Sequence, residues 1–255
     1  MSGADSTPFT IQAQPATDIW KKPPSTNIFN APIRRTSTGL LSKFRSARVT
    51  FWADWHERYD QGGLLLVPRR RSSSAPPPYD PAEPPAQWIK TGVELYQVSE
   101  HTLSSIFPLI SRPYYSLPIE PSPDRPTDSG TRKPLRKQGA PQLSTVSTDR
   151  FADWSVSPLG AGDGPSDVAK RSVTIEIARE GDENGKSVWV YQIVRGGSGA
   201  ETRIPLREIC WIFADEEDGD NEWVLDVSPL AARPEKKATA PLEVRFEEFT
   251  VEWAA

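Results

Sequence analysis

Apolar and polar residues alternate along much of this chain with a period of two, the mark of half-buried β-strands. In Trp88–Tyr96 (WIKTGVELY), Ile89, Val93 and Leu95 share one face, while Trp88, Lys90, Gly92 and Glu94 share the other. Val173, Ile175 and Ile177 alternate against Thr174 and Glu176, and after the turn-like EGDENGK a second strand follows at 188–194. Residues 46–53 (SARVTFWA) are β-branched and aromatic, and the continuous apolar run at 64–67 (LLLV) reads as a central strand. Two further strands are expected at 209–214 and 222–227, joined by the acidic loop DEEDGDN. In LEVRFEEFTVEW the parity of Leu242, Val244 and Phe246 gives way to that of Phe249, Val251 and Trp253. One extra residue at Glu247–Glu248 restores the face, which predicts a β-bulge. Many strands with Gly, Asp and Asn turns, and no amphipathic helix of any length, predict an all-β sandwich.

Composition divides the chain. Hydrophobic residues make up only 36% and Pro numbers 26, so part of the chain is expected not to pack, whereas nine Trp and nine Phe argue for one substantial core. The reading is a flexible tail at 1–18 and one domain at 19–255, carrying disordered inserts at 68–86 and 98–142. Gln97–Val98–Ser99 admits a splice-donor-like encoding, so the longer insert is read either as an intron translated in frame or as a genuine loop.

Charge and residue counts narrow the function classes. A net charge of −4 and a pI near 5.4 argue against a nucleic-acid binder. Cys210 is the single cysteine, expected to be an inert core thiol in the 209–214 strand, so neither an internal disulfide nor a cysteine zinc site is available. With two histidines, no Gly-rich phosphate loop and no nucleophile elbow, no metal or other cofactor is expected. The N-terminal residues do not read as a signal peptide and no stretch reads as a membrane span, so a cytoplasmic protein is expected.

The segments FWADWHERYDQGG, LLL, WIKTGVELY, LSTVSTDRFADWS, SVTIEIARE, SVWVY, IPLREICWIF and LEVRFEEF, in that order, resemble the fungal "regulation of enolase" family, a concanavalin A-like domain. The resemblance covers most of the chain outside the two inserts. It implies a concanavalin A-like jelly-roll sandwich and a regulatory role in carbohydrate metabolism through enolase, without catalysis.

Three constellations are candidate ligand or partner sites. Trp88, Lys90 and Glu94 put an aromatic ring, a cation and a carboxylate on one strand face suited to a sugar, with Gly92 leaving a ligand room. The alternative is a cross-strand network with Trp88 packed under a loop. Asp149, Asp153 and Trp154 lie together in TDRFADWS, where Asp153 also suits a turn cap. Asp60 and Gln61 precede Gly62–Gly63, and an Asx turn explains Asp60 as well as a ligand does. The alternate carboxylates of glucanase-type hydrolases are missing from every expected strand; Glu176 with Glu180 is the nearest imitation, and no enzyme is expected. Arg69-Arg70-Arg71-Ser72 and Arg34-Arg35-Thr36-Ser37 match the pattern of basophilic kinases, making Ser72 a candidate phosphorylation site. The expected activity is therefore non-catalytic regulation through a protein partner, enolase being the candidate, with a lectin-like carbohydrate-binding module as the alternative and a glycoside hydrolase ranked third, since it requires the fold to bring two distant carboxylates together.

Overall fold

Strand-forming residues fill nearly every ordered segment of the computed structural model, which describes residues 7–71, 76–96, 140–159, 172–214 and 222–255. In chain order the strands are β1 (Phe9–Ala13), β2 (Ile19–Lys22), β3 (Thr26–Phe29), β4 (Ser37–Leu40), β5 (Phe44–Ala53), β6 (Gln61–Arg70) and β7 (Trp88–Tyr96). They continue with β8 (Ala140–Thr148), β9 (Ala152–Pro158), β10 (Val173–Asp182), β11 (Gly185–Arg195), β12 (Glu201–Ile209), β13 (Trp223–Ala232) and β14 (Leu242–Trp253). One six-stranded sheet runs β4-β13-β6-β7-β8-β9 and a second runs β1-β14-β5-β10-β11-β12, with every strand pair antiparallel. The protein is an all-β sandwich, as the alternation predicts.

The sheets close on a core that includes Phe44, Val49, Phe51, Leu64, Leu66, Ile89, Val93, Leu225, Val244 and Phe246. The β6/β7 sheet is also covered on its other face, where Ile19, Phe29, Leu65, Val67, Trp88, Val146 and Leu230 form a second apolar cluster. The cover is the β2–β3 hairpin and Tyr79, whose ring meets Phe29 edge-on at 5.3 Å. Burial on both faces explains the unbroken apolar run at 64–67. The register of β14 against β5 shifts between Phe246 and Glu248, so the bulge lies at Glu247 as expected and brings Phe249 and Val251 back to the core.

Several expectations are corrected. Residues 9–13 of the presumed tail form β1, paired with β14 through Phe9↔Phe246 to Ala13↔Leu242, with the two phenyl rings stacked at 5.0 Å. Of the 68–86 insert, residues 68–70 continue β6. The missing N–H of Pro68 is tolerated because β7 pairs β6 only as far as Leu66. Tyr79 then pins the following loop, its hydroxyl donating to Asp226 Oδ2 at 2.7 Å; burial together with that carboxylate raises its pKa. Residues 140–142 begin β8, while 98–139 and Ser72 lie outside the described residues. The apolar stretch at 209–214 is the end of β12 and a 3-10 turn, Trp211–Phe213, which buries Ile212 and Phe213 and leaves Cys210 exposed. Among the described residues no helix is long and apolar enough to cross a membrane.

Candidate functional site

Alternation in β7 puts Lys90 and Glu94 on the face turned away from the main core, where Gln61 of β6 lies directly opposite Glu94. Ser144 of β8 and Trp154 of β9 lie next in the sheet. From the hairpin side come Asp18 and Trp20, and from the β5–β6 connection comes Tyr59. Together with the exposed Lys22, these side chains surround a cleft of about 370 Å³.

The floor is polar and paired. Lys90 Nζ donates to Gln61 Oε1 at 2.8 Å and to Asp18 Oδ1 at 3.2 Å. Asp18 Oδ1 also accepts the N–H of Ile19 at 2.8 Å, and the Asp18 N–H donates to Asn30 Oδ1 at 2.7 Å, so the hairpin is pinned where it meets the sheet. Ser144 is a bridge: its Oγ donates to Glu94 Oε2 at 2.7 Å and accepts Trp154 Nε1–H at 3.0 Å. The walls are aromatic. Trp20 meets Trp154 edge-on at 6.2 Å, Tyr96 meets Trp154 edge-on at 5.3 Å, and Tyr59 stacks on Tyr96 at 6.3 Å. Lys90 Nζ also lies 5.7 Å from the Trp20 ring centroid, within cation–π range.

Burial raises the pKa of the Glu94 carboxyl, against the opposing effects of Lys90 and of the hydroxyl of Ser144. A carboxyl raised in the folded state holds its proton more tightly there than in the unfolded chain. Its stabilising contribution is therefore complete below the unfolded value, near 4.5, and is lost as pH rises through the folded one. Glu94→Gln, which cannot ionise, is expected to gain stability relative to wild type between about pH 4 and about pH 7. Urea unfolding of both proteins at the two pH values measures this; a stability difference independent of pH would contradict the assignment.

Of the residues singled out in the sequence, Gln61, Lys90, Glu94 and Trp154 come together here. Trp88 shares their face but is wholly buried in the second cluster, as the packed alternative expects. Asp60 lies behind the cleft. Its carboxylate takes Arg233 Nε at 2.8 Å and Nη2 at 2.7 Å, and the N–H groups of His56 and Glu57 at 3.1 and 2.9 Å. That bond set holds the turn carrying Tyr59, which has a positive φ of 66° and whose N–H donates to Leu95 O at 2.9 Å. Asp149 is exposed and accepts from Gln87 Nε2 at 2.6 Å, away from the cleft. Asp153 points to the other side of β9, ion-paired with Arg207 of β12 at 2.5 Å. A Cβ on Gly92 would meet Gly62 O at 2.0 Å, so this glycine serves the close approach of β6 and β7 rather than a ligand. The space beside it is a hole of about 10 Å³, lined among others by Gln61, Lys90, Glu94 and Ser144.

Asp18, Trp20 and Ser144 were not among the sequence candidates. Trp20 lies in a strand of four residues, too short to show a period, and Asp18 fell within the presumed tail. The Glu176–Glu180 pair lies on the other sheet: Glu176 is ion-paired with Arg48 at 2.6 Å and with Arg203, and Glu180 accepts the Tyr191 hydroxyl at 2.6 Å. Among the described residues no group of three His, Cys, Asp or Glu side chains is placed to hold a metal ion.

A family model described as "Protein of unknown function (DUF1349)" matches residues 2–108. The uncharacterized protein AN7484 of Emericella nidulans is 34% identical over 244 residues, which span 96% of this chain and 86% of that protein. Among solved structures, a functionally unknown protein from Saccharomyces cerevisiae has a similar fold at a TM-score of 0.50 and 15% identity, the match covering 100% of this chain and 92% of that one. The GH43 BlXynB protein from Bacillus licheniformis aligns at a TM-score of 0.39 and 10% identity over 88% of this chain and 29% of its own, a likeness that carries no argument.

Proposed function

The chain belongs to the DUF1349 family of proteins of unknown function, and from the geometry of its cleft we propose that it is a carbohydrate-binding protein. One observation carries this reading: a corner of Trp20, Trp154 and Tyr59 stands over a floor of Lys90, Gln61 and Glu94. Aromatic rings offer flat apolar surface to the C–H face of a sugar, while the floor supplies donors and acceptors for its hydroxyls. Lys90 spends one N–H on Gln61 and one on Asp18, leaving a third donor, and the amide N–H₂ of Gln61 adds two more. The size suits one or two sugar rings, being at the low end of the roughly 300–1,000 Å³ range of small-molecule sites. Analogy with concanavalin A-like sandwiches supports the same reading, at the level of the fold only.

Titration with cello-, xylo-, laminari- and malto-oligosaccharides, followed by tryptophan fluorescence, tests it. At least one series is expected to perturb the emission, and Trp154→Ala is expected to weaken that binding about tenfold or more, as loss of a central aromatic anchor does. No response to any series up to millimolar concentration would refute it. Regulation of enolase through a cytoplasmic protein contact, the role implied by the resemblance, draws on no feature of this cleft. Purified enolase retained equally by wild type and Trp154→Ala, with no response to sugar, would favour that role instead.

A further inference from the structure

Two carboxylates far apart in the sequence, Asp18 and Glu94, line the same cleft. Simple sugar binding needs neither to be buried. Glu94 is nevertheless only 5% exposed, on a central strand of the sheet, with Oε2 accepting from Ser144. Asp18 approaches from the hairpin that covers the sheet, its Oδ1 committed to Lys90 and to the Ile19 N–H. Lys90, ion-paired with Asp18, lines the same cleft as Glu94, and Trp154, bonded to the same Ser144 as Glu94, forms the aromatic wall beside them. Asp18 and Glu94 do not share a strand; the tertiary fold places them on one cleft from two segments.

Resting on the sugar-binding reading, we propose that the cleft also hydrolyses a glycosidic bond, with Glu94 as the general acid and Asp18 as the general base. The sugar lies against Trp154 and Trp20 with its glycosidic oxygen over Glu94. The Glu94 O–H gives its proton to that oxygen as the bond from the anomeric carbon to it breaks, and the electron pair leaves on the oxygen, which departs as an alcohol. A water molecule forms the new bond to the anomeric carbon and gives its proton to Asp18. Transfer of that proton back to Glu94 through solvent restores both groups, so the net reaction consumes one water and yields two hydroxyl products. The surroundings suit these roles. Burial in a partly apolar cleft helps Glu94 retain a proton to donate, and Asp18, ion-paired with Lys90 and the more exposed of that pair, faces the same cleft. Ser144 is a positioning residue, aligning Glu94 with the Trp154 wall.

The experiment compares wild type, Glu94→Gln and Asp18→Asn on cellotetraose, xylotetraose, laminaritetraose and maltotetraose, reading new reducing ends by chromatography and affinity by tryptophan fluorescence. Wild type is expected to cleave the tetrasaccharide it binds. Glu94→Gln is expected to lose about 100-fold or more in turnover, the usual loss on removing a general acid. Its circular dichroism should be unchanged and its affinity should stay within about threefold, a difference under 1 kcal/mol. On the p-nitrophenyl glycoside of the same sugar, whose leaving group needs little protonation, the loss in Glu94→Gln should be markedly smaller, which a merely structural role would not produce. Asp18→Asn should lose turnover on both substrate types. Binding without cleavage by wild type, or cleavage undiminished in Glu94→Gln, would overturn the catalytic assignment and leave the binding reading standing. Binding to none of the four would overturn both.

Discussion

Arg233→Ala is expected to destabilise the protein by about 3–5 kcal/mol, the range for removing one partner of a buried ion pair. The Asp60 carboxylate is wholly buried, and Arg233 has 4% of its surface exposed. The fork-to-fork contact between them is the strongest geometry such a pair can adopt. Without the guanidinium, Asp60 keeps only its two bonds from the backbone N–H groups of His56 and Glu57, and its charge remains buried. Arg233 also donates through Nη1 to Ala240 O at 2.7 Å, so the substitution frees the chain leading into β14 as well. Against a typical total of 5–15 kcal/mol this is a large share. Urea denaturation followed by tryptophan emission measures it. Replacing Asp60 and Arg233 together by leucine and methionine is expected to cost less than the sum of the single changes, since no unpaired charge is left behind. A single-variant loss below about 1 kcal/mol would show the pair to behave as a solvent-screened one. The effect should reach the cleft too, because the turn held by Asp60 carries Tyr59.

The same turn shows where a sequence stops being readable. Asp60, just ahead of Gln61 and two glycines, is equally good as an Asx turn and as a ligand group; its partner, Arg233, stands beyond the eight strands β6 to β13, and nothing local announces it. Faces were legible where the period is local. Ile89, Val93 and Leu95 point to the core and Lys90 and Glu94 away from it, and the parity change at Glu247 marks a real bulge. What lies over a face was not legible. Lys90 and Glu94 read as groups on an open surface, yet both are buried, because a hairpin with the sequences IWKK and TNIF closes over them. Strands of four residues with four polar positions between them carry too little pattern to be distinguished from a tail, and their stability comes from packing against Trp88 and Val146 rather than from propensity. Residues 209–214 failed for a different reason: a short apolar run fits a strand and a buried 3-10 turn equally well, and composition does not choose between them.

Gly92→Ala is expected to cost about 3 kcal/mol or more, beyond the ordinary penalty for overfilling a core. Gly63 and Gly92 face each other across the β6–β7 ladder. A Cβ at Gly92 would sit 2.0 Å from Gly62 O and 2.7 Å from Gly63 Cα, and one at Gly63 would sit 2.0 Å from Thr91 O. Every one of these neighbours is backbone, so no side-chain rotation relieves the collision. The two strands must part, in the middle of a sheet covered on both faces, where broken ladder bonds find no water. Gly197→Ala is the control: an added Cβ there meets nothing within 4 Å, and it should change stability by less than about 0.5 kcal/mol. Unfolding midpoints of the two variants, measured side by side in urea, decide the matter. A Gly92→Ala protein as stable as Gly197→Ala would mean that the strands yield at no cost and that the close approach is incidental. The expected loss would instead tie the cleft to the sheet beneath it. Lys90 reaches Gln61 across this junction, so parting β6 from β7 breaks the 2.8 Å bond on which the floor of the cleft depends. Sugar affinity should then fall together with stability, although Gly92 has no side chain to touch a ligand.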